Sequence, residues 1–310
     1  DRLYKGRHCK GDQSISILHY GGKMKKRTAA FTLSMMLAMG ISSFAADEDA
    51  DAWYRIYRAN NKADGIILEL PCEDEYTSWR IDWLNGKKSF SQESGFVREN
   101  GKMTASLDVT GERSGYSTFV ASNELTGETK TLTVFTSEAG TVEVVQEGFF
   151  DTLPITEPLD MELSSGAGAW ATLLTLDPDG TFEGGFHDSD MGETGPGYPE
   201  GTVYYSEFSG TFTSPFPAGP NMYGILLDNI SITEPGLVNI EDGLQFVSCN
   251  PAGMLGYVYI LCKPGTPLEN MSQDALLWLM PDQEENETLT CYALYDKQSG
   301  STFFSQQQIQ

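Results

Sequence analysis

Histidine is almost missing from this chain: only His8, His19 and His187 occur in 310 residues. A His-Glu-x-x-His zinc site is therefore excluded. Cations are scarce as well, with 20 Lys and Arg against 44 Asp and Glu, a formal charge of -24. From residue 151 onward only Lys263 and Lys297 face 23 acids. A surface of that sign repels phosphate backbones and anionic lipid, which argues against nucleic-acid binding and peripheral membrane attachment. No Gly-x-Ser-x-Gly elbow, Ser-x-x-Lys dyad or Walker loop follows residue 45. Two-carboxylate hydrolysis stays open only because so many acids make some pair inevitable. Cysteine is sparse too, and a single long apolar run is present, near the N-terminus.

That run belongs to Met24–Ala45, which has the basic head (Lys25, Lys26, Arg27), apolar body and small-residue end of a secretory signal peptide. Ser43 and Ala45 fit a cleavage site, so the mature chain is expected to begin at Ala46, before Asp47-Glu48-Asp49. Residues 1–23 have no hydrophobic periodicity, and Gly21-Gly22-Lys23-Met24 back-translates to a sequence that can hold a ribosome-binding site before a start codon. The expectation is that residues 1–23 are an untranslated leader and 24–45 the signal peptide. No cysteine stands at the cleavage site, so a secreted protein, extracellular or associated with the cell wall, is expected, with no membrane anchor beyond the signal peptide. Export leaves 12 basic against 42 acidic residues and His187 alone, so a Ser-His-Asp or Cys-His site would have to use it. Cys72, Cys249, Cys262 and Cys291 remain, and three pairings or buried thiols are all open.

Residues 46–150 read as short strands at 66–70, 79–84, 103–109, 116–121, 131–135 and 141–145. Several alternate apolar with polar, and Asn85-Gly86, Asn100-Gly101, Thr126-Gly127 and Ala139-Gly140 punctuate them. This pattern suits a sandwich of about seven strands. Cys72 with Trp79 or Trp83 resembles the B and C strands of an immunoglobulin-like domain; Tyr116 fits its tyrosine corner, and Thr118 stands where the second cysteine would be. Leu70-Pro71, Tyr76, Trp79, Gly115–Phe119 and Thr131–Phe135 also resemble the layout of chagasin-type cysteine-peptidase inhibitors. Their Asn-Pro-Thr-Thr-Gly loop is replaced here by Cys72–Glu75, and their Arg-Pro-Trp loop has no counterpart.

After a linker at 151–158, residues 159–305 carry a second β series: 170–176, 181–186, 202–212, 223–232, 244–247, 257–261 and 289–294, with a tail at 306–310. Asp177-Pro-Asp-Gly180 is a hairpin turn, because proline fixes φ at its first position and glycine accepts a positive φ. One short helix follows Ser272 as its cap and runs to Pro281. The expected fold is mainly β: an immunoglobulin-like sandwich, then a lipocalin-like antiparallel barrel or rolled sheet with one short helix. Ser165–Trp170, Phe186–Gly195, Gly197–Tyr205, Phe208–Gly210 and Lys263–Pro267 resemble an uncharacterised domain of secreted proteins and lipoproteins of gut clostridia. The resemblance implies an extracellular β domain and no activity.

The segment 187–201 reads as a fifteen-residue connection, long enough to suggest a functional loop. Asp188, Asp190 and Glu193 around Gly192 offer oxygen ligands for calcium, though Gly192 and Pro199 stand where an EF-hand wants acids. A plain acidic turn is the other reading, and no other cofactor is implied. Trp170, Tyr198 and Tyr204 are candidates for an aromatic platform; Tyr204 and Tyr205 must point to opposite faces, so only one can join it. The expected function is an exported, non-catalytic protein that binds an extracellular protein, peptide or glycan. Its rivals are a cysteine-peptidase inhibitor acting through the sandwich and a carboxylate-based hydrolase.

Overall fold

The computed structural model describes residues 52–58, 64–86, 90–92, 95–109, 114–166, 168–279 and 286–306. The expected leader 1–23, the signal peptide 24–45 and the helix stop at Pro281 lie outside the described residues.

The first strands are β1 (Tyr54–Arg58), β2 (Asp64–Pro71), β3 (Trp79–Asn85), β4 (Phe90–Ser91), β5 (Val97–Glu99), β6 (Lys102–Val109), β7 (Gly115–Asn123), β8 (Thr129–Thr136) and β9 (Val142–Glu147). They form two antiparallel sheets, β1-β2-β6-β4 with β5 beside β6, and β3-β7-β8-β9. This is the ABED and CFG arrangement of an immunoglobulin-type sandwich with one strand added beside G. Alternation explains the closure: Ile66, Leu68 and Leu107 of one sheet pack on Phe119, Leu132 and Val134 of the other. Trp79 is buried and its indole N–H donates to the Pro71 carbonyl. Cys72, in contrast, lies past the end of β2 and only partly buried, so it does not take the core place of an immunoglobulin cysteine. The inward positions of β2 are Ile66, Leu68 and Leu70, two residues apart, and Cys72 follows the proline that ends the strand. Thr118 and Thr133 share a buried hydrogen bond of 3.0 Å.

The second series is β10 (Leu159–Ser164), β11 (Trp170–Leu176), β12 (Thr181–Asp190), β13 (Gly201–Gly219), β14 (Met222–Ile232), β15 (Val238–Glu241), β16 (Leu244–Ser248), β17 (Val258–Cys262), β18 (Ala293–Asp296) and β19 (Thr302–Ser305). Eight of them close an antiparallel barrel in the order β12-β11-β10-β19-β18-β17-β14-β13, with β13 returning to β12. Helix α1 (Gln273–Leu276) is capped by Ser272, whose hydroxyl accepts from the Ala275 N–H at 3.1 Å.

The barrel interior is filled, by Leu163, Leu174, Phe182, Phe208, Phe212, Tyr259 and Phe303 among others. Glycine makes room for these rings: Phe182 pairs with Gly210 and Gly184 with Phe208, and a Cβ on Gly184 would meet the Phe208 ring at 2.5 Å. On one side the outer wall is covered too. Ile260, Cys262, Ala293, Tyr295 and Phe304 pack there beneath Met271, Ala275 and Leu289. Burial on both faces is why β17, β18 and β19 lack alternation: β17 is apolar throughout, and the central residues Leu294, Tyr295, Phe303 and Phe304 of β18 and β19 are apolar on both faces. Cys262 lies opposite Ala293, two residues from Cys291, and no disulfide joins the described cysteines. Burial pushes the Cys262 thiol up to about 12.

The segment expected as a linker is packed. Leu153 and Ile155 enter the barrel core, and the Phe150 N–H donates to Pro215 at 2.8 Å. Leu84, Phe216 and Leu226 form a further buried cluster, against which Val120 of β7 and Val258 of β17 both pack. Beside it the Lys297 ammonium donates to the Leu84 carbonyl in β3, and burial holds its pKa below the ordinary lysine value. No helix among the described residues is long and apolar enough to cross a membrane.

Candidate functional site

The segment 187–201 is shorter as a loop than its composition suggests. Strand β12 continues through Asp190, where His187↔Tyr205, Asp188↔Tyr204 and Asp190↔Thr202 extend the ladder with β13. Only residues 191–200 connect the strands. The polar run hides the strand because this end of the barrel is not covered on its outer face: His187 and Ser189 are exposed.

That ladder decides what stands together. Trp170 is opposite Asp188, Asp188 is opposite Tyr204, and Tyr204 is opposite Val247 of β16, which is opposite Val238 of β15. Directly paired residues share a face, so these five side chains form one transverse row. The next row contains Asp190, Thr202, Gln245 and Ile240. Both continue the barrel's inner face, whose adjacent deeper row is Thr172, Phe186 and Ser206. Trp170 and Tyr204 flank Asp188 with about 10 Å between their Cα atoms, two strand spacings. Tyr205 points the other way.

Each member of the row has a neighbour. Trp170 packs edge-on against Trp278 at 6.0 Å and tilted on Phe186 at 6.5 Å. The Tyr204 hydroxyl donates to the Glu193 carboxylate at 2.6 Å, and the Thr202 hydroxyl donates to the Glu193 carbonyl at 2.9 Å. The 191–200 loop is thereby folded over the row, with Gly197 near Ile240. Tyr198 lies back on Gly195, and the two exchange backbone hydrogen bonds of 3.1 and 3.3 Å. Trp170 and Tyr204 thus share a row with Asp188, whereas Tyr198 is placed by the loop.

The three acids expected to ligate calcium have separate duties. Asp190 Oδ1 caps the turn, accepting from the Gly192 and Glu193 N–H groups at 3.0 and 3.1 Å. Asp188 accepts from the Ser189 N–H at 2.8 Å, and Glu193 takes the Tyr204 hydroxyl. Among the described residues no group of three or more His, Cys, Asp or Glu could hold a metal ion.

One more concavity lies on the outer wall, a depression of about 680 Å³ above Gly184 and Gly185 lined by Leu173, Glu183, Glu207, Ser231 and Thr233. The strand expected at 244–247 is β16, whereas its partner β15 and their placement as an extension of the barrel wall are not among the expected elements. The signal was present in Asp242-Gly243, whose φ values of 49° and 82° make a two-residue hairpin turn. At the far end of the sandwich, the 72–78, 100–101 and 123–128 loops converge. Cys72 N–H donates to Gly101 at 2.8 Å, Glu124 N–H to Ser78 at 2.9 Å, and the Arg98 guanidinium gathers the carbonyls of Asp74, Glu75 and Thr77.

No family model matches this chain, and neither a curated protein nor a solved structure does so.

Proposed function

We propose that this is an exported, non-catalytic binding protein whose barrel presents Trp170, Asp188 and Tyr204 to an extracellular glycan or peptide. The observation that carries the reading is the transverse row itself. Two aromatic rings on either side of a carboxylate offer apolar stacking surface and a hydrogen-bond acceptor on one face, a combination suited to a sugar ring or a peptide turn. Export is supported by the Met24–Ala45 segment and by the resemblance to domains of secreted proteins. The absence of a histidine beside the row fits binding better than acid–base chemistry; His187 is on the opposite face.

Purified mature protein on a glycan and peptide array tests this. A ligand should appear, and Trp170→Ala should weaken it by about tenfold or more, the loss expected for an anchoring aromatic. Binding that survives both Trp170→Ala and Asp188→Asn would place the ligand elsewhere. Thermal melts in calcium and in EDTA test the calcium alternative on the same samples. A rise in melting temperature at millimolar calcium, abolished by Asp190→Asn, would support it.

Cysteine-peptidase inhibition is the second reading, favoured by the convergence of three sandwich loops with Tyr76 and Leu125 exposed at their tips. Titration of papain with the mature chain tests it, and undiminished papain activity at excess protein would end it.

A further inference from the structure

The ten-stranded sheet that contains the barrel ends at β15. Its turn residues Asp242 and Gly243 join Glu241 to Leu244, so Glu241, Asn239 and Leu237 are the positions that exchange backbone hydrogen bonds with β16. The Ser248 N–H bond to the Leu237 carbonyl, 2.9 Å, confirms the phase. By alternation, the N–H and C=O groups of Val238 and Ile240 point away from β16, out of the sheet. All four residues of β15 are exposed, and Val238 and Ile240 show 58% and 47% of their surface on one face, with Leu237 at 49% on the other.

Edge strands are usually blunted by lysine, proline, a bulge or an inward charge. Val-Asn-Ile-Glu has no lysine or proline, pairs with β16 without a register shift, and carries its one charge at the last position. Acids bracket it: Glu234 precedes it, while Glu241, Asp242 and Glu200 surround its turn, the last with its N–H on the Gly243 carbonyl at 3.0 Å. A second copy in antiparallel register would set the Glu241–Asp242 end of each chain beside the Glu234 end of the other, placing like charges together.

We propose that β15 captures an extended, basic segment of a partner protein by strand addition. Main-chain bonds form to Val238 and Ile240, alternate apolar side chains rest on those two residues, and Lys or Arg meets the bracketing acids. This goes beyond the ligand reading above and uses the backbone edge of β15, at the outer end of the row that Trp170, Asp188 and Tyr204 begin.

The test uses the mature chain and a fluorescein-labelled heptapeptide of alternating Lys and Val, read by anisotropy. Two analogues accompany it: one with Glu in place of Lys, and one N-methylated at two adjacent central residues, which blocks both peptide edges. The parent peptide should bind, and each analogue should bind about tenfold more weakly or worse. Ile240→Pro removes an outward N–H without touching the β16 ladder and should cost a similar factor, while Ile240→Val should retain binding. If Ile240→Pro perturbs the near-ultraviolet dichroism, the N-methylated peptide on the unaltered chain decides. Equal binding of the parent and N-methylated peptides would overturn strand addition and leave charge attraction alone. No binding of the parent, or a dimer dissociated by Ile240→Pro, would overturn the basic partner. Array binding at Trp170 is read separately, so either reading can fail without the other.

Discussion

The sandwich and the barrel solve the same problem, burying one face of a β-sheet, with different chemistry. In the sandwich, charges of both signs are interleaved, and the ion pairs between described residues, Arg55–Glu69, Lys102–Glu69, Arg80–Asp82 and Lys130–Glu128, all lie there. The barrel has almost no cations to pair. Its acids instead cap turns and accept from hydroxyls: Asp179 takes the Thr181 hydroxyl at 2.6 Å, and Asp296 takes Ser299 at 2.7 Å. Its core is larger and more aromatic, with Phe212 between Phe182 and Tyr259 at 4.8 and 5.0 Å. The sandwich can thus lean on charge pairs, whereas the barrel must offset its own repulsion through packing.

Breaking a core in each region gives the largest expected effect. Phe212→Ala in the barrel and Phe119→Ala in the sandwich, both at residues 1% exposed, should each cost about 3–5 kcal/mol. Calorimetry then shows how far the packed junction couples the regions. With Leu84, Phe216 and Leu226 buried together, both variants should lower one shared transition. A variant that shifts only part of a split endotherm would show that the junction does not transmit stability.

The junction also holds Lys297, exposed as a residue but with its ammonium turned in to the Leu84 carbonyl, and its titration should read the coupling directly. Burial lowers the Lys297 pKa from 10.5, so between that lowered value and 10.5 the unfolded chain holds a proton the folded chain has shed. Stability therefore rises with pH through that window, weakly because solvent screens a side chain this exposed, and the penalty is fully present below it. Lys297→Met should flatten this alkaline rise in urea unfolding followed from pH 7.5 to 10. An unchanged slope would mean that Lys297 keeps its ordinary value and that the contact with the Leu84 carbonyl is made in water.

How much of this was legible in the sequence differs between the regions for a physical reason. Where one face is wet, alternation marks the strand, and β2, β3, β6, β7, β8 and β11 stand within a residue or two of their expected places. Alternation fails where both faces are buried: 289–294 reads as one strand, yet Leu289 and Cys291 belong to the outer cover and β18 begins at Ala293. It fails again where a strand is polar on its outer face, as in His187–Asp190. Of the candidate site, the residue types were readable and the register was not. Nothing local says that Trp170 and Tyr204 sit on either side of Asp188, because that follows from ladders joining residues 16 to 18 positions apart.

Each region also buries one hydroxyl that has no hydrogen-bond partner among the described residues, Thr136 in the sandwich and Ser206 beneath the Trp170 row. Thr136→Val and Ser206→Ala remove the orphaned oxygen and should each stabilise by about 0.5–1 kcal/mol, a part of the desolvation penalty such a group carries. The two sites sharpen the comparison because Ser206 lies one row below the proposed ligand face. If Ser206→Ala destabilises while Thr136→Val stabilises, the barrel hydroxyl is serving a bound water or ligand that the sandwich hydroxyl lacks.

The smallest effect tests charge itself. Glu69 is held below the usual carboxylate range mainly by the hydrogen bond from Lys102, with Arg55 adding to it against the cost of burial. That stability is present above the ordinary value of 4.5 and is lost as pH falls through the lowered one. Lys102→Met should cost about 0.5–1 kcal/mol at low salt and less at high salt, since the lysine is 54% exposed and screened. In the barrel the sign reverses. Replacing Glu183 by Gln, beside Glu207 on a wall with no cation among its lining residues, relieves repulsion and should stabilise by a few tenths of a kcal/mol at low salt. Raising salt should erase both effects from opposite directions, and urea unfolding of the two variants at 20 mM and 500 mM salt, to be taken as roughly one Debye length of 20 Å and one of 4 Å, reads them. A Glu183→Gln variant that destabilises at low salt would show that its carboxylate is paired, and the contrast between a charge-paired sandwich and a self-repelling barrel would fail at that wall.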